Sequence, residues 1–434
     1  MHTHTSHGIE SDAMLRFHKS PVSALEPFYL PSPFVVNGEP LLLASLVSAD
    51  ENGWVVWWDL GTKRPLGTWR AHESTIVTVQ QMGIHWDADV PQLHRNTFGK
   101  LLTHGRDNCV RIWDLFRVSS FSSMDWNLCK VLHKTRDTAR NPDVYEIPVN
   151  ALNFCNVATR AEMIATPASL SSESFDIYVV SNHRLERLHS NVDICQILQQ
   201  NQRSNETDEN RKFGAIMQIT WTGDFQLAVG YESGIVACIQ LQERHTQVVW
   251  IDSSHLTHPI LGIVSNLDRV FTCSASDRIV VNSLQTGKTV AISKIKHKGI
   301  SSLDVTINNS ICLVSVTTWD GFSRIYRYDE DSSAAVDEAL KGVFIPWTKL
   351  RRIPPKVIPN FKSSSNHQTI DLPDLKGRVI KLSKTQNGCN NALVERSDGQ
   401  SKMILRSSEK RALTRYAFVG YQDGRVATYI LCDS

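Results

Sequence analysis

Residues 102–115 read LTHGRDNCVRIWDL, with Asp107 six places before Trp113 in a short apolar run that a Trp-Asp pair closes. A carboxylate, an indole N–H and, upstream in RAHESTIVTV, the imidazole of His72 are groups that pair by hydrogen bonding or, at an exposed site, move a proton. Other chemistry-bearing stretches carry less. QTGKT (285–289) has the look of a phosphate-loop tail, but no glycine stands five residues before Gly287 and no helical pattern follows, so it reads as a tight turn between strands. Neither GxSxG nor HExxH occurs. His85 and His94 flank Trp86-Asp87 with no further ligand in reach, and His183 and His189 alternate with apolar residues as strand histidines do. His2, His4 and His7 lie in a polar terminus that reads as frayed. The expectation is no catalytic residue, no metal and no cofactor.

What must position Asp107 and Trp113 is visible as an internal repeat. SADENGWVVWWD (48–59) aligns without a gap on THGRDNCVRIWD (103–114), which puts Ser48 over Thr103, Asn52 over Asp107 and Trp58 over Trp113. Upstream, HKSPVSAL (18–25) aligns on HESTIVTV (72–79), with His18 over His72. Each copy reads as an alternating strand after the His, a second strand, a tight turn at the Asp or Asn, and a third strand ending at Trp. A fourth strand follows, as in RPLGTWR (64–70). That is a four-stranded antiparallel unit of one propeller blade.

With these residues in place the chain resembles the WD-repeat (WD40) β-propellers. The resemblance implies a hydrogen-bonded tetrad of His72, Thr103, Asp107 and Trp113, in which the carboxylate accepts from the imidazole and the hydroxyl links imidazole to indole. It is read as structural rather than catalytic. Weaker copies keep the six-residue spacing from turn to strand end. They put Asp277 in FTCSASDRIVVNSL (271–284), Asp320 and Tyr326 in SVTTWDGFSRIYRY (315–328) with His297 upstream, and Asp423 and Tyr429 in FVGYQDGRVATYIL (418–431). Ser233 holds the turn in AVGYESGIVACIQL (228–241), and the unit between 149 and 192 has no turn Asp.

The fold class is therefore all-β: a seven-bladed WD40 β-propeller with long loop insertions. Blades are expected near 18–70, 72–140, 145–200, 213–253, 255–296, 297–350 and 351–431. Residues 1–17 form an N-terminal tail, of which Ser11–Phe17 can supply the outer strand of the last blade, and 18–434 form one propeller. Open sheet edges are avoided, so the two ends must meet. Insertions are expected at about 193–213, polar and mobile, and at about 329–411, within which LRRIPPKVIP (350–359) reads as part of the outer and inner strands of blades six and seven with its Pro residues at edges. Residues 341–415 hold sixteen Lys/Arg against five Asp/Glu, while the whole chain is +2. That contrast could draw an acidic protein surface or nucleic acid, or keep a loop in solution.

Composition narrows the class further. Nine cysteines without a CxxC pair suit a reducing compartment, and no run of eighteen apolar residues offers a membrane span. MHTHTSHGIESDAM lacks the apolar segment of a secretory signal. Eleven Trp is a high count, and Trp86, Trp126 and Trp347 near loops, with Arg351 and Arg352, are candidate contact residues, since Trp and Arg are enriched at interface hot spots; each Trp could equally be a blade-packing residue.

Several features taken together resemble the fungal ASTRA-associated protein 1 family, which is similar in turn to animal G-protein β-subunit-like WD proteins. They are PVSALEPF, the doubled Trp of VVWWDL, KLLTHGRDNCVRIWDL, VGYESGIV and the terminal GYQDGRVATYIL. The resemblance covers essentially the whole chain. It implies a non-enzymatic subunit of the nuclear ASTRA assembly, also possible in the cytoplasm. It would act with the co-chaperone complex that matures phosphatidylinositol-kinase-related kinases, in an assembly linked to chromatin remodelling. The expected partners are proteins, with the chain monomeric inside a larger complex and no membrane contact. The alternatives are a nucleic-acid or histone reader using the basic C-terminal insertion, and a ubiquitin-ligase substrate receptor.

Overall fold

A computed structural model describes residues 8–431, apart from 37–38, 88–89, 121–124, 129–144, 151–153, 182–183, 202–211, 243–245, 267, 296–298, 309–310, 331–341, 353–375, 386–393, 397–401 and 404–413. Among the described residues, seven sheets of four to six strands form the blades, each built around an antiparallel meander, and two two-stranded sheets accompany them. Alternation makes the strands: in Cys109–Asp114 the residues Val110 and Ile112 are buried, and Arg111 between them is half-buried.

Blade one comprises Val22–Val36, Glu39–Asp50, Trp54–Asp59 and Arg64–Arg70. Blade two comprises Ile76–Gln81, Lys100–Gly105, Cys109–Asp114 and Tyr145–Pro148. Blade three runs through Ala158–Arg160, Met163–Pro167, Phe175–Ser181 and Arg184–Val192, and blade four through Ile216–Gly223, Gln226–Tyr231, Val236–Leu241 and Thr246–Asp252. Blade five has Ile260–Asn266, Arg269–Ser274, Arg278–Ser283 and Thr289–Lys294; blade six has Ile300–Asn308, Ile311–Thr318, Ser323–Asp329 and Val343–Arg351. Blade seven takes Gly377–Leu382, Arg415–Tyr421 and Arg425–Leu431 from the C-terminal part of the chain.

The first strands of successive blades touch in order, and the first strand of blade seven touches that of blade one, so the blades form a closed ring. Closure is also covalently staggered. Ala13–Arg16 pairs antiparallel with Arg425–Leu431 as the outer strand of blade seven, with Met14 opposite Ala427. Just before it, Ile9–Glu10 pairs parallel with Leu350–Arg351 on the outer edge of blade six. One N-terminal segment thus covers two edges that would otherwise template foreign strands.

Three boundaries differ from the sequence reading. Tyr145–Pro148 is the outer strand of blade two, not the opening of blade three, because buried Ile147 lies opposite Val110 and completes that blade's alternation. The stretch from 193 opens with a helix, Ile194–Asn201, whose Ile194, Cys195, Ile197 and Leu198 pack on the core between blades three and four. The span 329–411 is not one insertion. It contains the outer strand of blade six and the inner strand of blade seven, so blade seven begins at Gly377 rather than 351.

Antiparallel strands fix which loops share a face. Connections from second to third strand and from one blade to the next emerge on one face, the tetrad face. Connections from first to second and third to fourth strand emerge on the other. On that other face the first two strands of blade one run on well past the disc, and Phe34 and Val35 pair with Arg396 and Glu395 from the blade-seven excursion. The hairpin Ile84–Asp87/Val90–Leu93 of blade two lies on the same face, with Trp86 against Tyr29 at a ring separation of 5.0 Å.

Candidate functional site

In blade two the four groups form one directed chain. Trp113 Nε1 donates to Thr103 Oγ1 at 2.9 Å, the Thr103 hydroxyl faces His72 Nε2 at 2.8 Å, and His72 Nδ1 lies 2.7 Å from Asp107 Oδ1. Each donor has one acceptor, which is how buried polar atoms escape a desolvation penalty. Burial alone would raise the Asp107 carboxyl, but hydrogen bonds from His72 and Arg111 outweigh it and hold the group well below the usual carboxylate range. Arg111 Nη1 donates to Asp107 Oδ2 at 2.9 Å and to the Ala71 carbonyl at 2.9 Å. Gly105 is required here by close approach: a Cβ would stand 2.3 Å from His72 Nδ1 and 2.6 Å from Asp107 Oδ1.

Blade one repeats the chain with its acid moved. Trp58 Nε1 donates to Ser48 Oγ at 2.8 Å, and the Ser48 hydroxyl faces His18 Nε2 at 2.7 Å. The carboxylate is Asp50, whose Oδ2 is 2.9 Å from His18 Nδ1. Asn52, aligned on Asp107, is exposed; only its backbone N–H takes part, donating to Asp50 Oδ1 at 2.9 Å. The correction has a steric reason. Asp50 occupies the strand-end place that Gly105 holds in blade two, from which a carboxylate reaches the imidazole directly. Desolvation opposes ionisation of Asp50, yet the bond from His18 and the amide of Trp54 lower its pKa.

The remaining blades vary the theme. In blade five His255 Nε2 meets Thr272 Oγ1 at 3.0 Å, and the turn-acid place, two past the second strand, is Ser276. Asp277 stands one place later, so it does not fill the role assigned to it. Asp320 of blade six accepts from Arg324 Nη2 at 3.1 Å and from the Phe322 amide at 3.1 Å, repeating the Asp107–Arg111 pair at the same four-residue spacing. Tyr326 packs toward Phe344 with ring centroids 6.5 Å apart, and His297 lies outside the described residues. In blade seven the imidazole is replaced by a guanidinium. Arg352 Nη2 donates to Asp423 Oδ2 at 2.5 Å, and its plane lies 4.7 Å from the Tyr421 ring centroid, while the Tyr421 and Tyr429 hydroxyls are 2.8 Å apart. In blade four Phe213 against Tyr231 substitutes aromatic packing for the polar chain.

Arg352 is therefore a buried joint between blades six and seven, not a contact residue. Trp347 is half-buried against the core those blades share, and Trp86 is half-buried on Tyr29. Arg351 is exposed on the outer strand of blade six, opposite Glu10. The Trp126 side chain lies outside the described residues. Sequence reasoning missed Asp50, two places after Ser48, and His255, although HLTHPILGIV (255–264) carries the same His-then-strand pattern as HESTIVTV.

Around the channel, side chains replace backbone as the stitches between first strands. Gln81 Oε1 accepts from the Tyr29 amide at 2.6 Å while its Nε2 donates to the Tyr29 carbonyl at 2.9 Å. Asn156 makes the same two-way contact with Ile219, at 2.7 and 2.8 Å, and Asp304 Oδ2 accepts from the Leu382 amide at 2.7 Å. Desolvation lifts the Glu26 carboxyl to about 7, against the pull of nearby Lys381. His104 and His255 are buried, and desolvation pushes each down to about 4. Among the described residues, no three His, Cys, Asp or Glu side chains gather where they could hold a metal ion. The histidine chains of blades one and two end on carboxylates inside the protein, so their chemistry is that of scaffold.

A family model described as ASTRA-associated protein 1 matches residues 11–429. Proteins named ASTRA-associated protein 1 are similar over nearly the whole chain. That of Clavispora lusitaniae is 28% identical over 432 residues, covering 97% of this chain and 96% of its own. That of Meyerozyma guilliermondii is 25% identical over 480 residues, covering 96% and 98%. One from Candida albicans SC5314 is 25% identical over 413 residues, covering 86% and 92%.

Proposed function

The chain belongs to the ASTRA-associated protein 1 family, and from that premise we propose that it is a non-enzymatic scaffold subunit of the ASTRA assembly. The observation that carries this reading is a family match running from the strand that closes blade seven to that blade's last strand, so the whole ring is the family's unit. In the finer reading the chain works in the nucleus beside the co-chaperone assembly that matures phosphatidylinositol-kinase-related kinases, in a chromatin-linked setting.

The physics supports a holding role. A closed ring of packed sheets is rigid, and a rigid partner loses little freedom on association. The histidine, hydroxyl and carboxylate groups of the blade-one and blade-two chains are committed to blade architecture, which leaves the rims for recognition.

Affinity purification of the tagged full-length chain, with mass spectrometry of what co-purifies, tests the proposal. Recovery of ASTRA subunits together with large co-chaperone subunits is expected. Recovery of neither, or of a cullin adaptor in their place, would overturn it.

A further inference from the structure

On the tetrad face of blades six, seven and one, large apolar side chains are left in solvent. Trp319 and Phe322, at the second turn of blade six, are 56% and 57% exposed, and Phe17, at the entry to blade one, is 40% exposed. These positions belong to one surface. Lys376 packs on the backbone of Gly321, between Trp319 and Phe322, and the Gly377 amide donates to the Gly321 carbonyl at 3.0 Å. The Gln422 amide donates to the Lys376 carbonyl at 3.0 Å, and Gly424 lies against the carbonyls of His18 and Ser20. Arg378 of blade seven pairs with Glu51 of blade one. These contacts link the turns of the three blades from the one that carries Trp319 to the entry that carries Phe17.

The charge of this strip is one-sided. The half-buried acids at its turns are already paired: Asp320 with Arg324, Asp423 with Arg352 and Arg425, and Glu51 with Arg378. Arg16, Lys19 and Lys376 are exposed, and among the described residues they face no carboxylate. The Arg324 guanidinium lies 5.4 Å from the Phe322 ring centroid, which fixes that ring without covering it. Three separate cations between aromatic side chains suit an occupant that presents spaced negative charges and apolar groups together. A nucleic-acid backbone asks instead for a continuous row of cations, and here the row is interrupted by ion pairs.

We infer that this strip docks an extended acidic segment of a partner protein, with aliphatic or aromatic side chains seated on Trp319 and Phe322 and carboxylates on Arg16, Lys19 and Lys376. The inference rests on the scaffold reading above and gives the partner its chemistry.

The test uses the full-length chain in cells, with a photo-crosslinking phenylalanine derivative at position 319 and, as control, at Leu66 on the outer strand of blade one. Cross-links from position 319 are expected to fall in protein segments rich in Asp and Glu, and those from position 66 are not. A second arm purifies Phe322→Ser/Lys376→Glu, both changes at exposed positions, and checks that its melting temperature matches the parent. Recovery of the cross-linked partner is expected to fall about thirtyfold. Cross-links to basic or neutral segments, to nucleic acid or to lipid overturn the inference, as does undiminished recovery of that partner by the folded variant. If the strip fails while the parent still recovers ASTRA subunits, the scaffold reading survives. If the parent recovers none, that reading fails while the cross-links still report on the strip.

Discussion

Replacing Asp50 by Ala isolates the feature that structure and sequence alignment assign differently. Asp50 accepts three bonds: from His18 Nδ1 at 2.9 Å, from the Asn52 amide at 2.9 Å and from the Trp54 amide at 3.0 Å. The His18 side chain has no exposed surface, so its Nδ1–H has no water to turn to, a loss of about 1–3 kcal/mol. The two turn amides lie nearer solvent and together add about 1 kcal/mol, for a total of about 2–4 kcal/mol. With roughly 2.1 cal/mol/K of unfolding entropy per residue, 434 residues unfolding as a unit carry about 0.9 kcal/mol/K. The loss then appears as a fall in Tm of about 2–4 °C by calorimetry at pH 7, where the lowered pKa of Asp50 leaves it fully ionised. Asn52→Ala removes an exposed side chain and should stay within about 0.5 kcal/mol. If Asn52→Ala lowers Tm as much as Asp50→Ala, the acid has been placed in the wrong residue and the reasoning is refuted.

The remaining predictions concern the second relay, the channel and the closing strand. Trp113→Ala deletes a packed indole and leaves Thr103 a donor short, so urea denaturation should show a loss of about 3–5 kcal/mol. Gly105→Ala drives a methyl group into His72 and should cost about 2–4 kcal/mol although it adds apolar surface, read by the same titration. Because His104 and His255 are held near 4 in the folded chain, the unfolded chain takes up protons first as pH falls. Stability should therefore decline between pH 6.5 and 4, by up to about 3 kcal/mol for each histidine. Glu26 acts in the opposite sense, since a carboxyl raised to about 7 favours the folded state as pH falls from 7 toward 4.5, so Glu26→Gln should steepen the acid-side decline in urea midpoint. Removing residues 1–16 uncovers Arg425–Leu431 as an open edge, and sedimentation velocity should then show concentration-dependent association absent from the full chain.

The fold class was legible because a blade announces itself locally: the His, hydroxyl, turn acid and Trp of 72–113 lie within one unit, and alternation marks its strands. What crosses between units was harder to read. In blade one the place of Asp107 falls on Asn52, a departure from the turn acid, because the turns align by length. Whether an acid reaches the imidazole depends instead on whether the strand-end position carries a Cβ, as Asp50 does and Gly105 does not. Arg352 reads as a contact residue, and Trp347 as either an anchor or blade packing, because their burial is supplied by blade seven, whose first strand opens only at Gly377. Tyr145–Pro148 was detached from blade two for the same reason: thirty residues separate it from the strand it pairs with. The helix Ile194–Asn201 was hidden in a polar context, with only Ile194, Ile197 and Leu198 at helical spacing to mark it. The strip on blades six, seven and one combines residues from three parts of the chain, and no single stretch displays it.

Ring closure is the claim on which the rest depends, and a cross-strand disulfide tests it most directly. Met14→Cys/Ala427→Cys places two thiols at paired positions of the closing strands, and Met14→Cys/Arg425→Cys places them out of register. After mild oxidation of the full-length protein, mass spectrometry of the digest should find the 14–427 peptide cross-link in high yield and the 14–425 cross-link in trace amount. Equal yields from both pairs, or no 14–427 cross-link at all, would mean that the first and last strands do not meet as described, and the closed ring would have to be abandoned.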